Sequence, residues 1–223
     1  ITLDIPKTTK KKNVMVIGGG PAGMEAARVL AIAGHNVDLY EKENILGGQA
    51  RYATMAIHKD GMQILLDYQT RELKRLGINV HMGVTVDKAL VDKVKPDVVM
   101  IATGAKPITP PFPGVDGKNI YQAQEVLEDI SLAGNKVVVI GGGLVGLETA
   151  ETLAAKGKDV TVLEMKPSIA TDLGYTAMLA ILQGIEENNV KVETSTTVQE
   201  INKGVITAVY DGEIKKYEAD TII

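Results

Sequence analysis

The sequence VIGGG occurs twice in this chain, at residues 16–20 and at residues 139–143. The first copy continues as VIGGGPAGMEAARVLAIAGHNVDLYEKE and the second as VIGGGLVGLETAETLAAKGKDVTVLEMK, and the two align without a gap at an offset of 123 residues. In each copy an apolar run opens on glycines, apolar residues at helical spacing follow, and a second apolar run closes the unit. This order predicts two βαβ units with parallel strands, and therefore an α/β fold with two similar domains.

Each copy contains glycines at the spacing G-x-G-x-x-G, namely Gly18, Gly20 and Gly23 in the first and Gly141, Gly143 and Gly146 in the second. In this motif the first glycine permits a sharp turn, the second leaves room for a pyrophosphate, and the third lets the helix pack closely on the strand. The phosphates then face free N–H groups at the positive end of the helix dipole. Pro21 suits the first helical position, where an N–H has no partner. The sequence therefore predicts two dinucleotide sites.

An acidic residue ends the second strand of each unit. Glu41 and Glu164 each lie 23 residues beyond the first glycine of their motif. A carboxylate at this position can accept hydrogen bonds from the adenosine ribose hydroxyls. A 2′-phosphate about 4 Å from Glu164 would be repelled by about 4 kcal/mol at an effective dielectric of about 20. We therefore expect NADH to be preferred over NADPH, with Lys166 as a partial compensation.

The rest of the chain predicts further helices and strands and a division into domains. Four prolines in residues 106–114 indicate an extended connector. We expect a first domain at 1–114, a second at 115–218, and a strand at 219–223 that leads back to the first. Helices are predicted at 61–76 and 172–188, strands at 79–81 and 84–86, and a small antiparallel sheet from runs at 191–194, 198–201, 205–210 and 214–217, with a hairpin turn at Asp211-Gly212.

Composition excludes several classes of function. The chain has no cysteine, so disulfide exchange, thiolate metal sites and iron–sulfur ligation within it are ruled out. That composition fits a cytoplasmic protein. A net charge of −4 and a single Phe disfavour nucleic-acid binding, and no apolar run reaches the roughly 18 residues of a membrane span. His35, His58 and His81 stand alone, so no metal site is predicted.

Four segments resemble the flavoprotein superfamily with two dinucleotide folds, which includes glutathione and thioredoxin reductases. They are GGGPAGMEAA, GGQ at Gly47–Gln49, ATGA at Ala102–Ala105, and GGGLVGLETAE. Within that pyridine nucleotide-disulfide oxidoreductase superfamily, ILGGQA and the absent cysteines are most similar to the C-terminal half of enoate and 2,4-dienoyl-CoA reductases. Those enzymes carry an old-yellow-enzyme barrel ahead of this half. The resemblance implies two Rossmann-like domains of the three-layer ββα flavoprotein type, the second inserted in the first.

The resemblance also implies which residues bind which cofactor. FAD would be held by the first motif and its surroundings, at Gly18, Gly20, Pro21, Ala22, Gly23, Glu41, Lys42, Gly48, Gln49, Arg51, Val86, Ala102, Thr103 and Gly104. NADH, or less favourably NADPH, would be held at Gly141, Gly143, Leu144, Val145, Gly146 and Glu164. Glu148 would face the nicotinamide as a candidate catalytic residue, although Glu25 occupies the same place in the first copy.

The function implied is hydride transfer from NADH to FAD, with electrons passing to a centre outside this chain. That centre would be an FMN- and iron–sulfur-bearing barrel of the same full-length protein, and the final substrate an α,β-unsaturated acid or thioester. Two alternatives stay open: a non-catalytic ADP- or FAD-binding domain, as in trimethylamine dehydrogenase, and a stand-alone NADH oxidase or ferredoxin reductase. Both ends of the sequence suggest a piece of a longer chain, and the segment that covers the flavin in the family would follow Ile223.

Overall fold

The chain divides into two compact units, each built on its own parallel sheet. The computed structural model describes residues 4–223. The first unit runs to Thr54 and resumes over His58–Lys106, and the second comprises Met55–Ile57 and Pro107–Ile223. The expected mixed α/β fold is confirmed. None of the helices in residues 4–223 has the length and apolar character that crossing a lipid bilayer requires.

The first unit has one four-stranded sheet, in the order β3-β2-β1-β4, with all neighbours parallel. Its elements are β1 (Asn13–Ile17), α1 (Pro21–Ala33), β2 (Asn36–Glu41), α2 (Ala50–Ala53), α3 (Asp60–Arg75), β3 (Asn79–Met82), α4 (Lys88–Val94) and β4 (Val98–Ile101). Apolar side chains of α1 and α3, among them Met24, Leu66 and Leu73, pack on the sheet around Val16 and Leu39. Burial of this face stabilises the unit through the hydrophobic effect.

The second unit combines a parallel and an antiparallel sheet. Its elements are α5 (Ala123–Glu128), a 3₁₀ turn (Ile130–Leu132), β5 (Lys136–Ile140), α6 (Leu144–Ala155), β6 (Asp159–Leu163), α7 (Tyr175–Glu187), β7 (Lys191–Glu193), β8 (Thr196–Asn202), β9 (Val205–Tyr210), β10 (Glu213–Glu218) and β11 (Thr221–Ile222). The parallel sheet has the order β11-β5-β6-β7, and β8, β9 and β10 form the antiparallel one. Helices α6 and α7 cover one face of the parallel sheet, and the antiparallel sheet covers the other. The second unit is therefore a three-layer ββα arrangement.

Two strand predictions were wrong. Residues 191–194 were expected in the antiparallel sheet, but β7 pairs in parallel with β6. Residues 84–86 form no strand, because Gly83 (φ 68°) turns the chain and the N–H of Val84 bonds to the Glu41 carbonyl at 2.9 Å. The hairpin turn was right: Asp211 and Gly212 both have positive φ, at 49° and 81°, between β9 and β10.

The segments that lead into and out of the second unit's core lie side by side. Ile120 forms a parallel bridge with Ile222, and the N–H of Tyr121 bonds to the Ile222 carbonyl at 2.9 Å. In the structure β11 pairs with β5 of the second unit, which takes in Pro107–Ile223. The domain limits at residues 114 and 218, and the return of residues 219–223 to the first domain, stay predictions.

Candidate dinucleotide-binding sites

The first glycine motif forms the turn between β1 and α1, at the carboxyl edge of the first unit's sheet. Gly18 has φ 110°, which L side chains rarely adopt, and a Cβ there would overlap the carbonyl group of Ala102. A Cβ on Gly23 would overlap the carbonyl oxygen of Gly18, so this glycine lets α1 start directly against the turn. Two of the three glycines are therefore required by backbone packing alone.

Gly20 is different, because the protein itself leaves room for a side chain there. Its backbone is extended (φ −74°, ψ 176°), and the atom nearest to a Cβ at this position is the Cα of Gly48, at 3.8 Å. The first hydrogen bond of α1 runs from the N–H of Met24 to the Gly20 carbonyl, so earlier N–H groups have no acceptor within the helix. A helix terminus with free N–H groups and no acid in its first turn fits a bound anion.

The second motif repeats this geometry between β5 and α6. Gly141 has φ 117°, and a Cβ on Gly146 would overlap its carbonyl oxygen. Gly143 is extended, with φ −81° and ψ 179°. We call the two turns, each with the first turn of its helix, the first cradle and the second cradle. In both, the backbone fits the pyrophosphate of a dinucleotide.

In each unit, a glutamate at the end of the neighbouring strand forms hydrogen bonds to the glycine turn. Glu41 and Glu164 are buried, with 6% and 8% of their surface exposed. In each, one carboxylate oxygen accepts the N–H of the glycine in the middle of the GGG run, Gly19 or Gly142, at 2.6 Å. The other oxygen accepts the N–H two residues further along the chain, at 2.8 Å in the first unit and 2.7 Å in the second. A carboxylate has about four acceptor positions, so each glutamate retains lone pairs for ribose hydroxyls.

The two copies stay aligned at the 123-residue offset through the loops at residues 42–49 and 165–172. No aligned position in these loops carries the same residue. Both loops fold back over their own glycine turn through the same backbone contact. The N–H of Gly47 donates to the carbonyl of Gly19, and the N–H of Ala170 donates to the carbonyl of Gly142, both at 2.8 Å. An apolar side chain one residue earlier packs over that glycine in both units.

Two segments predicted to surround the first cradle lie next to it. Gly48 faces Gly20, with the Cα of Gly20 3.0 Å from where a Cβ of Gly48 would lie. Ala102, Thr103 and Gly104 follow β4, and Ala102 is fixed by a 2.8 Å bond from its N–H to the Ile17 carbonyl. Backbone of this segment therefore borders Gly18 directly.

Three other predicted residues make contacts within the protein, and a fourth is half-buried. Lys42 is exposed and its ammonium lies 3.5 Å from the Glu43 carboxylate. The Gln49 amide donates to the carbonyl of Ala105, and the guanidinium carbon of Arg51 lies 5.3 Å from the ring centroid of Tyr52. Val86 is half-buried between β3 and α4. Their contact with a cofactor stays a prediction.

Glu148 lies half-buried in α6, and its equivalent in the first unit differs in its surroundings. There, Glu25 accepts two bonds from the Arg28 guanidinium, at 2.7 and 2.9 Å. These bonds hold the pKa of the Glu25 carboxyl below its ordinary value, against the opposing effect of burial. In α6 the position of Arg28 is taken by Glu151, so this ion pair is not repeated.

Sequence reasoning missed one side chain at the second cradle, Asp172. Its Oδ2 accepts the N–H of Leu144, the first residue of α6, at 3.2 Å. Asp172 aligns with Gln49 at the 123-residue offset. Because Gln49 was a predicted site residue, the repeat could have identified Asp172 as well. Leu144 and Val145 were predicted at this site; Val145 projects outward with 63% of its surface exposed. Within residues 4–223 no group of three or more His, Asp or Glu side chains is placed to hold a metal ion.

Comparison with known proteins gives consistent results. The chain is 41% identical over 204 residues to a bilirubin reductase of Mediterraneibacter gnavus, covering 92% of this chain and 32% of that protein. It is 40% identical over 210 residues to an NADH oxidase of Thermoanaerobacter brockii, again covering 92% of the chain and 32% of the relative. The solved structure of a 2-naphthoyl-CoA reductase in complex with 2-naphthoyl-CoA matches with a TM-score of 0.93 at 33% identity, covering 98% of this chain and 33% of that one.

The chain thus spans about a third of the length of the relatives it matches. The family model for pyridine nucleotide-disulphide oxidoreductases, which bind FAD and NAD(P)H, matches residues 12–223, a range that contains both glycine motifs and both strand-end glutamates. Two cradles of the same geometry, the fold and this match agree, and the chain belongs to the pyridine nucleotide-disulphide oxidoreductase family.

Proposed function

We propose that this chain is the NADH:flavin oxidoreductase module of an enoate-reductase-type enzyme, with FAD in the first cradle and NADH in the second. The observation that carries the proposal is the presence of two cradles with matching backbone geometry in one chain, each closed by a buried glutamate. A single cradle would suit many nucleotide-binding proteins. Two of them suit a reaction in which one dinucleotide reduces another.

The chain's own residues would bind and orient the two cofactors. In the first cradle the N-terminus of α1 would face the FAD pyrophosphate, Glu41 the ribose, and Gly48 would leave space beside the phosphates. In the second, α6 and Glu164 would do the same for NADH, with Glu148 towards the nicotinamide. When bound, NADH would supply a hydride and FAD would accept it, so the protein's contribution is position and electrostatics rather than acid–base chemistry.

The preference for NADH rests on the charge of Glu164. Its carboxylate is buried and held by two backbone N–H groups, at 2.6 and 2.7 Å, so it cannot turn away from a 2′-phosphate without losing both bonds. Lys166, the nearest cation in sequence, has its ammonium 3.2 Å from the Thr171 hydroxyl. Repulsion of about 4 kcal/mol at a separation of about 4 Å, less where solvent screens it, favours NADH.

Electrons would leave for a centre outside this chain. The full-length relatives are about three times as long, which leaves room for a further cofactor-bearing domain. Thiolate-bound iron–sulfur clusters need cysteine, and this sequence has none. A barrel that carries FMN and an iron–sulfur cluster would supply the centre. Since one structural relative binds a CoA thioester, we propose an α,β-unsaturated acid or thioester as the final substrate.

A visible absorption spectrum tests the proposal with two matched variants. Gly20→Ala and Gly143→Ala each place one methyl group where a pyrophosphate would lie, at positions whose extended backbone accepts alanine. At Gly143 the methyl group comes 3.2 Å from a carboxylate oxygen of Asp172, whose exposed side chain can rotate away. We expect the wild-type chain with added FAD to show flavin bands at roughly 375 and 450 nm that bleach with NADH under nitrogen. Gly20→Ala should fail to retain flavin. Gly143→Ala should retain flavin that NADH no longer bleaches.

The alternatives give different results in the same experiment. A wild-type chain that binds FAD and is never bleached by NADH, or that binds ADP and not FAD, would indicate a non-catalytic nucleotide-binding domain. A chain in which both variants behave like the wild type would overturn the assignment of the two cradles. NADH-dependent oxygen consumption by the chain alone would favour the stand-alone oxidase.

A further inference from the structure

An aspartate carboxylate lies beside the start of the helix in the second cradle. Asp172 lies in the loop between β6 and α7, and its Oδ2 accepts the N–H of Leu144 at 3.2 Å. The same oxygen is 3.2 Å from where a Cβ on Gly143 would lie, which is the space that the glycine leaves free. A negative charge therefore occupies the positive end of α6, where the pyrophosphate of a dinucleotide would bind.

The first cradle has no such charge. The residue equivalent to Asp172 is Gln49, which is neutral and donates its amide to the carbonyl of Ala105. Among residues 4–223, only the Cα of Gly48 comes within 4 Å of where a Cβ on Gly20 would lie. The two cradles thus share their backbone and the buried glutamate, and they differ in the charge at the helix terminus.

The loop holds Asp172 in place through backbone contacts. Two residues before it, the buried Ala170 has φ 59°, a left-handed conformation that is unusual for a residue with a side chain. Its N–H bonds to the Gly142 carbonyl at 2.8 Å, and its own carbonyl accepts the N–H of Leu173 at 3.2 Å. The Asp172 side chain itself is exposed, so it can rotate into solvent while the loop stays attached.

We propose that Asp172 is an internal anion that competes with the pyrophosphate for the N-terminus of α6 and lowers the affinity of the second cradle for its dinucleotide. This inference rests on the proposed function, in which FAD stays bound and NADH must exchange in every turnover. A weak contact with one exposed carboxylate suits an exchangeable ligand. The first cradle, with the neutral Gln49 in place of Asp172, suits a cofactor that is retained.

The test compares nucleotide binding by the wild type and by Asp172→Asn, which keeps an acceptor for the Leu144 N–H and removes the charge. Each protein is loaded with one equivalent of FAD and titrated calorimetrically with ADP, which has a pyrophosphate, and with adenosine, which has none. Charges at an exposed helix terminus contribute about 0.3–1 kcal/mol, so ADP should bind about twofold to fivefold more tightly to the variant. Adenosine affinity and the dissociation constant of FAD should not change.

Glu213→Gln is the matched control. It removes one negative charge from an exposed residue of β10, in the antiparallel sheet, and should leave the ADP dissociation constant at the wild-type value. Equal ADP binding by wild type and Asp172→Asn, or tighter binding by Glu213→Gln as well, overturns this inference alone. Failure of all three proteins to bind ADP overturns the proposed function and this inference together.

Discussion

Gly142 donates its backbone N–H to the carboxylate of Glu164 at 2.6 Å. The contact joins the glycine turn to the end of the neighbouring strand, and a second N–H, from Lys166, reaches the other carboxylate oxygen. The same pair of contacts holds Glu41 in the first unit. The glutamate at the strand end therefore helps to hold the glycine turn in its conformation, whether or not a ligand is bound.

Glu164→Gln should therefore destabilise the second unit even without a nucleotide. Glutamine offers one oxygen and an NH₂ group, so one of the two backbone N–H groups, the buried one of Gly142 or the part-buried one of Lys166, faces a donor. An unsatisfied buried donor costs about 1–3 kcal/mol, and the free energy of unfolding, measured in urea, should fall by that amount. Glu213→Gln, on the surface, is the control; equal stability of the two variants would contradict a structural role for Glu164.

The same substitution should narrow the preference for NADH. Removing the charge removes the repulsion of a 2′-phosphate, whereas the hydrogen bond to a ribose hydroxyl is only weakened. The ratio of the NADPH to the NADH dissociation constant, from fluorescence titration below the unfolding temperature, should fall by about tenfold, or 1.4 kcal/mol. A ratio that equals that of the wild type would show that another group sets the preference.

Gly23→Ala should damage the first unit, whereas Gly61→Ala should not. A Cβ on Gly23 overlaps the carbonyl oxygen of Gly18, a backbone atom that cannot move without opening the turn. Overpacking of this kind costs about 1–3 kcal/mol. Gly61 lies in the first turn of α3 with nothing within 4 Å of its Cβ position, and alanine there should be neutral or stabilise by up to about 1 kcal/mol. Thermal unfolding of both variants checks the contrast, and similar losses in both would refute it.

The Glu25–Arg28 pair should make stability depend on pH in the acid range. The Arg28 guanidinium lowers the pKa of the Glu25 carboxyl from its ordinary value of 4.5. The folded-state pKa is therefore below the unfolded one, so the pair's contribution is complete above pH 4.5 and is lost as the pH falls through the folded-state pKa.

Glu25→Gln removes this dependence. The wild type should lose more stability than the variant between about pH 6 and about pH 3, by less than about 1 kcal/mol because the Glu25 side chain is 44% exposed and solvent screens the pair. Urea unfolding of both proteins at several pH values measures the difference. Parallel pH profiles for the two proteins would disprove the contribution.

The cradles could be predicted from sequence because their geometry is local. The spacing of Gly18, Gly20 and Gly23 specifies a turn that few other folds require, and the gapless repeat confirmed the pattern at a second place. Both glycine turns, both helices and the four strands that flank them formed as expected. The placement of β7 could not be predicted in this way, since three residues carry too little periodicity to distinguish a parallel edge from a hairpin partner.

Asp172 was misinterpreted for a physical reason. The predicted helix at 172–188 placed Asp172 at its first residue, and aspartate is a residue that favours helix N-termini. In the structure α7 begins at Tyr175, after Gly174, and the Asp172 carboxylate accepts the first N–H of α6 instead. A cap across the fold has the same sequence signature as a cap within the next helix, and only the three-dimensional arrangement separates them.

The parallel bridge between Ile120 and Ile222 has a practical consequence for protein engineering. Because the N–H of Ile222 bonds to the Asn119 carbonyl at 2.9 Å, the two ends of the segment 119–222 are neighbours. Because its ends are adjacent, a segment of this kind can be inserted into a surface loop of an unrelated host protein without stretching that loop. If a short glycine–serine linker joins the two ends of the segment instead, circular permutants can be made with new termini in another loop of the same segment.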